Sequence, residues 1–271
     1  MKEKTIIFVP FAGLCNRVNA IMSAIALIEN YPNVAVRCFW PKDKDCYAQF
    51  NDLFNPLDIE RLGVYTLRNP FWNFPSIRNF QIPKYLRHLC GYTQRSSIGS
   101  NESIEEWIGE KKIYVSSSNR FHPLLSKVKI GEIFKPTKEI EMAIADYTSR
   151  YSNYTVGVHV RRTDNRGAIE HSPLDVFYRY MDDEMASNLE TKFYLASDDE
   201  SVKAKMKSRY GDKLIIGNWE LKRNSVQGMK DAVAELYCLA RTNKILGSSC
   251  STYSLMASQL NDIPLVIVKK K

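Results

Sequence analysis

The chain has 271 residues, 44% hydrophobic and 25% charged, enough to bury the cores of one large or two modest domains and too apolar for a disordered segment. No apolar run reaches the roughly 18 to 20 residues that cross a bilayer, and the opening stretch is too short and too soon interrupted for a secretory leader, which points to a cytoplasmic protein. The formal charge of +8 is scattered, apart from the tail Lys269-Lys270-Lys271. With no nucleic-acid-binding motif, it suits an anionic small ligand or an anionic membrane face, with peripheral contact at the inner leaflet, better than nucleic acid.

In chain order, residues 5–9 read as a buried strand. Residues 14–31 carry Val18, Ile21, Met22, Ile25 and Ile28 at helical spacing and stop at Pro32, and 34–40 reads as a second strand, which completes a β-α-β unit. Residues 56–123 are rich in aromatics, Pro, Asn and Ser and read as irregular, with a weak strand at 112–116. A helix opens at Pro136 and runs to Tyr151. Strands then fall at 155–160, 192–196, 213–216, 244–247 and 265–268, with helices at 173–188, 200–210, 228–242 and 252–260. Such alternation signals an open parallel α/β sheet. The expected domains are 1–140 and 141–271.

Ligands of such sheets bind at the carboxyl ends of the strands, so the residues just after each strand carry the functional expectation. After 155–160 comes Arg161-Arg162-Thr163-Asp164-Asn165-Arg166-Gly167, with His159 before it. Arginine offers phosphate a planar two-donor fork and keeps its charge at any working pH. After 192–196 come Ser197, Asp198 and Asp199: one acid suffices to cap the next helix and the second is left to face a ligand. Gly247-Ser248-Ser249-Cys250-Ser251-Thr252 opens a helix with small hydroxyl residues, an arrangement suited to anions. Gly13-Leu14-Cys15-Asn16-Arg17 holds the matching place after the first strand. Its single glycine is not the three-glycine dinucleotide fingerprint, and no P-loop Gly-Lys-Ser/Thr occurs. The six cysteines form no Cys-x-x-Cys pair and the four histidines have no metal-ligand spacing, which favours reduced thiols and no bound metal. No Gly-x-Ser-x-Gly elbow marks a hydrolase.

Gly157-Val158-His159-Val160-Arg161-Arg162-Thr163-Asp164 resembles the His-x-Arg-Arg-x-Asp motif of the α1,6-, α1,2- and protein O-fucosyltransferases, and is most similar to the α1,6 and Nod-factor group. Gly13 to Arg17 resembles that family's Gly-Leu-Gly-Asn-Arg loop, Tyr194 to Asp199 its Leu-Ala-Thr-Asp-Asp strand end, and Gly247 to Thr252 its final Ser-rich loop. The resemblance implies a GT-B-like fold, two Rossmann-like domains with a cleft between them. It also implies an inverting glycosyltransferase that moves L-fucose from GDP-fucose to a glycan or lipid-linked glycan hydroxyl without a metal or other cofactor. On that reading Arg161 holds the β-phosphate with help from Ser251, Glu235 takes the place of a guanine-reading Asp, and Asp198 and Asp199 line the donor pocket. Gly13, Asn16, Arg17, His159, Arg162, Ser248 and Thr252 complete the donor set. The general base is expected at Glu170, or else at Asp164. The chain departs from the α1,6 pattern at Asn165 (Lys in those enzymes), at Thr252 (Gln), and at Glu170, which falls one residue later than their catalytic Glu. The rival readings are transfer of a different sugar from another nucleotide, and a non-catalytic nucleotide- or glycan-binding protein of the same fold.

Overall fold

The computed structural model describes residues 4–66, 93–95, 108–109, 113–118, 128–162, 166–220 and 222–270. The chain divides into two compact units, one of residues 1–135 with 222–229, the other of residues 136–221 with 230–271. Each is built on a five-stranded sheet in which every pairing is parallel. No helix among the described residues is long and apolar enough to cross a membrane.

The first unit runs β1 (Lys4–Pro10), α1 (Leu14–Asn30), β2 (Val34–Trp40), α2 (Phe50–Leu53), β3 (Leu62–Thr66), β4 (Thr93–Arg95), β5 (Ile113–Ser117) and α3 (Ile130–Ile133). Its strand order is β3-β2-β1-β5-β4. Three strands therefore fall in the stretch 56–123 that the sequence presents as irregular. β5 lies at the weak strand expected at 112–116, while β3 and β4 are short edge strands, placed by pairing with a neighbour more than by a periodicity of their own. The core joins β1 and β2 to α1 and to an aromatic group in which Phe50 meets Trp40 edge-on at 5.4 Å and Phe54 meets Phe134 at 5.4 Å. The end of α1 is held from outside the helix: the Arg61 guanidinium donates to Ile28 O, Tyr31 O, Pro32 O and Val34 O at 2.9 to 3.1 Å, satisfying carbonyls that have no partner within the helix.

Arg17 is wholly buried, and its side chain is committed inside this unit. Its Nε donates to Ala12 O at 2.7 Å, one terminal nitrogen to Pro41 O, and the other to Asp43 Oδ1 at 2.7 Å. The guanidinium also lies over the Trp40 ring, 5.2 Å from its centroid. Ala12 has φ of 66°, a left-handed conformation that a residue with a Cβ adopts only under constraint. Arg17 thus fastens the turn after β1 and the loop after β2 together. Asp43 is 3% exposed and needs this cation to offset its lost hydration.

The second unit begins with α4 (Lys138–Thr148) and runs β6 (Thr155–Val160), α5 (Arg166–His171), α6 (Leu174–Ser187), β7 (Lys192–Ser197), α7 (Glu200–Tyr210), β8 (Leu214–Ile216), α8 (Val226–Ala240, of which 226–229 belong to the first unit), β9 (Lys244–Ser248), α9 (Thr252–Asn261) and β10 (Leu265–Val268). Its strand order is β10-β9-β6-β7-β8, so the chain reverses direction across the sheet at β6. Val156, Val158, Val160, Phe193, Leu195 and Leu246 meet Val176, Phe177, Met181 and Met206 in one apolar core. Gly247 permits α9 to sit close to β9: a Cβ there would stand 2.7 Å from Ser254 Cβ and Oγ. The five described cysteines are free thiols, four of them buried and Cys250 exposed.

Replacing Arg17 with Ala leaves the Asp43 carboxylate buried and unpaired. The expected loss is about 3 to 5 kcal/mol of stability, read from thermal and urea unfolding, with the Arg17→Ala/Asp43→Ala pair recovering part of it. An Arg17→Ala chain as stable as wild type would show that the pair does not hold this unit together.

Candidate nucleotide site

The reversal of strand order in the second unit fixes where a site can form. β6 lies between β7 and β9, and from it the chain continues outward in both directions. At such a switch point the loops leaving neighbouring strands diverge and open a crevice at their carboxyl ends. The ends of β6, β7 and β9 and the loops leaving them carry His159, Arg161, Arg162, Asp198, Ser248 and Ser251 to this edge, and their polar groups interlock.

Asp198 is the centre of the arrangement. Its Oδ1 accepts the Arg162 backbone N–H at 2.8 Å and its Oδ2 lies 3.2 Å from Arg161 Nε. Both side chains stay partly exposed, at 22% for Arg161 and 18% for Asp198, so the guanidinium is oriented without being sealed off. Ser248 ties the same backbone to β9: its Oγ accepts from Arg161 N at 3.0 Å and donates to His159 O at 3.2 Å. The adjacent acid is otherwise engaged. Asp199 caps α7, accepting from Ser201 N at 2.8 Å and Val202 N at 3.3 Å.

The two arginines have different surroundings. Arg162 donates to Arg161 O at 2.9 Å and to Ser172 O at 2.8 Å, which braces the loop after β6 against the start of α6. Burial lowers its pKa from the usual arginine range. Ser172 extends the brace, donating from Oγ to Val268 O at 2.5 Å and accepting from Ser249 N at 2.8 Å. A serine before a proline gave no sign in the sequence that it would join three strand-end loops.

His159 is 5% exposed. Burial, and then the positive charge of Arg161, push its pKa down to about 4 against the opposing pull of Asp198, so the ring is neutral at physiological pH. Its ring centroid lies 5.0 Å from that of Tyr253 with the two planes tilted by 37°, and its Nδ1 lies 3.5 Å from Ser251 Oγ. Ser251 is the N-cap residue of α9, and the positive end of a helix dipole lies at such an N-terminus. Thr252 follows and is exposed. Cys250, with φ of 56°, makes the turn that sets Ser251 there.

Glu235 lies on α8, 5% exposed. Its Oε2 is 3.3 Å from the Tyr253 hydroxyl, which donates to Ala232 O at 2.7 Å. Burial raises its pKa to about 8, against the pull of Lys203, the Tyr253 hydrogen bond and Arg161. Lys203 is itself 8% exposed and its ammonium bonds Glu200 Oε1 at 2.7 Å. Neither Tyr253 nor Lys203 stood out in the sequence, because each belongs to the site only through the packing of α9 and α7.

Glu170 is exposed near the end of α5, and Asp164 lies outside the described residues. Gly13, Asn16 and Arg17 belong to the first unit. Gly13 is the N-cap of α1 with open space where a Cβ would stand, Asn16 is half-buried, and Arg17 is buried in the contacts given above.

No family model matches the chain, and no curated protein matches it. Solved structures do. An arginine-to-lysine mutant of Arabidopsis thaliana FUT1 in complex with GDP superposes with a TM-score of 0.63 at 17% identity, over 100% of this chain and 71% of that one. NodZ α-1,6-fucosyltransferase soaked with GDP-fucose gives 0.62 at 17% identity, over 98% and 95% of the two chains. POFUT1 in complex with GDP gives 0.61 at 12% identity, over 99% of each. The fold is the one these fucosyltransferases share. It is a GT-B-like α/β fold with two parallel sheets, as the sequence led us to expect.

The raised pKa of Glu235 sets a pH dependence for the protein without ligand. Its folded value, about 8, lies above the usual 4.5, so the folded state holds a proton that the unfolded chain releases between those values. The stability this contributes is fully present below about pH 4.5 and is lost as pH rises through about 8. Wild type is therefore expected to lose melting temperature relative to Glu235→Gln across that window and to run parallel to it above. Parallel curves throughout would mean that Glu235 ionises as an ordinary carboxyl.

Proposed function

We propose that the chain is an inverting glycosyltransferase that moves L-fucose from GDP-fucose to a hydroxyl of a glycan or lipid-linked glycan. The observation that carries this reading is the oriented Arg161, paired with Asp198 beside the N-terminus of α9, at the switch point of a fold shared with structures in complex with GDP or soaked with GDP-fucose. In the proposed reaction the acceptor hydroxyl attacks the anomeric carbon from the face opposite the leaving GDP. The bond to the β-phosphate oxygen breaks and the hydroxyl proton passes to a base. Charge grows on the β-phosphate as the bond breaks, and groups already oriented toward that charge stabilise it with little reorganisation. Arg161, the first-turn N–H groups of α9 and Ser251 supply such groups. Glu235, facing the base, accepts from guanine N1–H and N2–H. Glu170 is the proposed general base, with Asp164 as the other candidate. The charges proposed for the leaving group belong to the chain, so turnover is expected to survive EDTA. The net charge of +8 suits an acceptor held at an anionic membrane surface.

Binding is tested by thermal shift with GDP, UDP and CDP. GDP at 100 times its dissociation constant is expected to add about 2.7 kcal/mol of stability, with UDP and CDP well behind; equal stabilisation by UDP would remove guanine from the reading. Chemistry is tested at Arg161. Arg161→Lys keeps a charge but not the planar fork, so it is expected to lose about 10²- to 10³-fold in transfer, close to Arg161→Ala, with the melting temperature little changed. Transfer near the wild-type rate in Arg161→Lys would take Arg161 out of the transition state.

A further inference from the structure

The Tyr253 hydroxyl has a single proton, and its shorter bond, 2.7 Å, goes to Ala232 O. With that proton directed mainly to Ala232 O, the hydroxyl gives Glu235 Oε2 only a long donor contact of 3.3 Å, weaker than the short charge-assisted bond that a carboxylate draws from a hydroxyl. The geometry fits a neutral carboxylic acid. Its other oxygen, Oε1, makes no hydrogen bond among the described residues. The charged and titratable groups around the carboxyl come from five elements. Lys203 lies on α7, Tyr194 and Asp198 on and just after β7, Arg161 after β6, Cys238 on α8 itself, and Tyr253 on α9. Lys203, nearly buried, has its ammonium drawn to Glu200. The cations favour an ionised Glu235 and Asp198 opposes it. The neutral Tyr194 and Cys238 sides offer it no compensating charge, since burial raises the pKa of both.

A neutral carboxyl offers guanine one carbonyl oxygen and a hydroxyl, whereas the N1–H and N2–H edge presents two donors that a carboxylate receives with both oxygens. Resting on the reading of Glu235 as the residue that meets the base, we propose that binding of a guanine nucleotide expels a proton from Glu235, with Tyr253 as the positioning residue. The neutral acid and the nucleotide become a carboxylate held by two guanine donors, and the proton leaves to solvent. The Tyr253 hydroxyl turns its own hydrogen from Ala232 O to the new carboxylate, where a charge-assisted bond is the stronger one. Burial, which holds the free carboxyl near a pKa of 8, supports the same direction.

The test is calorimetric titration of GDP into the whole chain at several pH values, in pairs of buffers that differ in ionisation enthalpy. Wild type is expected to release close to one proton at pH 7. Its affinity for GDP should rise about tenfold per pH unit and level off near 8. Glu235→Gln, which cannot ionise, should bind GDP more weakly and keep only the pH dependence of the diphosphate itself. Tyr253→Phe removes the donor to the carboxylate and should move the levelling point to higher pH; an unmoved levelling point overturns the part given to Tyr253. GDP binding with the same proton count and pH profile in wild type and Glu235→Gln overturns the proton coupling and leaves the donor reading standing. Failure of wild type to bind GDP at any pH overturns both.

Discussion

The contact between Asp198 and the two residues after β6 organises the second unit's site. One carboxylate receives the Arg162 backbone and the Arg161 side chain, and so couples the end of β7 to the end of β6. A guanidinium on a free loop would lose several rotors of entropy on meeting a phosphate. Pairing with Asp198 limits that loss in advance, while the side chain stays partly exposed. The pair is too exposed for the coulombic term to add much to stability; its consequence lies in orientation.

Around this pair the chain uses backbone to fix backbone. Ser248, Ser172 and Arg162 each tie two strand-end segments together. Parallel strands make this possible, because all their carboxyl ends open at the same edge. The first unit shows the same logic with a buried cation, Arg17, which joins the turn after β1 to the loop after β2. The similar sequence position of the two loops does not make their arginines alike. Arg17 faces carbonyls and a buried acid, while Arg161 keeps a fifth of its side chain exposed.

Burial also decides which groups carry charge. His159 and Glu235 both lie under the site, and both are pushed toward their neutral forms, one downward in pKa and one upward. Desolvation acts against the charged form of either. The fixed positive charge is thereby concentrated on Arg161 and the helix start, while an acid is kept in reserve beside it.

The sequence by itself determined the alternation of strands and helices from 136 onward and the place of the loops that matter, since strand and helix periodicities are local and strand ends in such a sheet are where ligands bind. It also singled out Arg161, Asp198, Ser251 and Glu235 by residue type and motif. It did not disclose β3 and β4, whose short edge segments depend on a neighbouring strand, or α5, a six-residue helix between β6 and α6. Residue type by itself could not divide the work between neighbours, and only the resemblance favoured Arg161. Arg161 and Arg162, like Asp198 and Asp199, are identical pairs in sequence, and only the direction each side chain takes from its backbone makes one a brace or cap and leaves the other facing the site. Tyr253 and Ser172 entered through contacts between residues 10 to 96 positions apart that no local pattern encodes, and Lys203 through the packing of α7. Tertiary structure alone decided that Arg17 is buried with Asp43, because burial belongs to the folded surface and not to the residue.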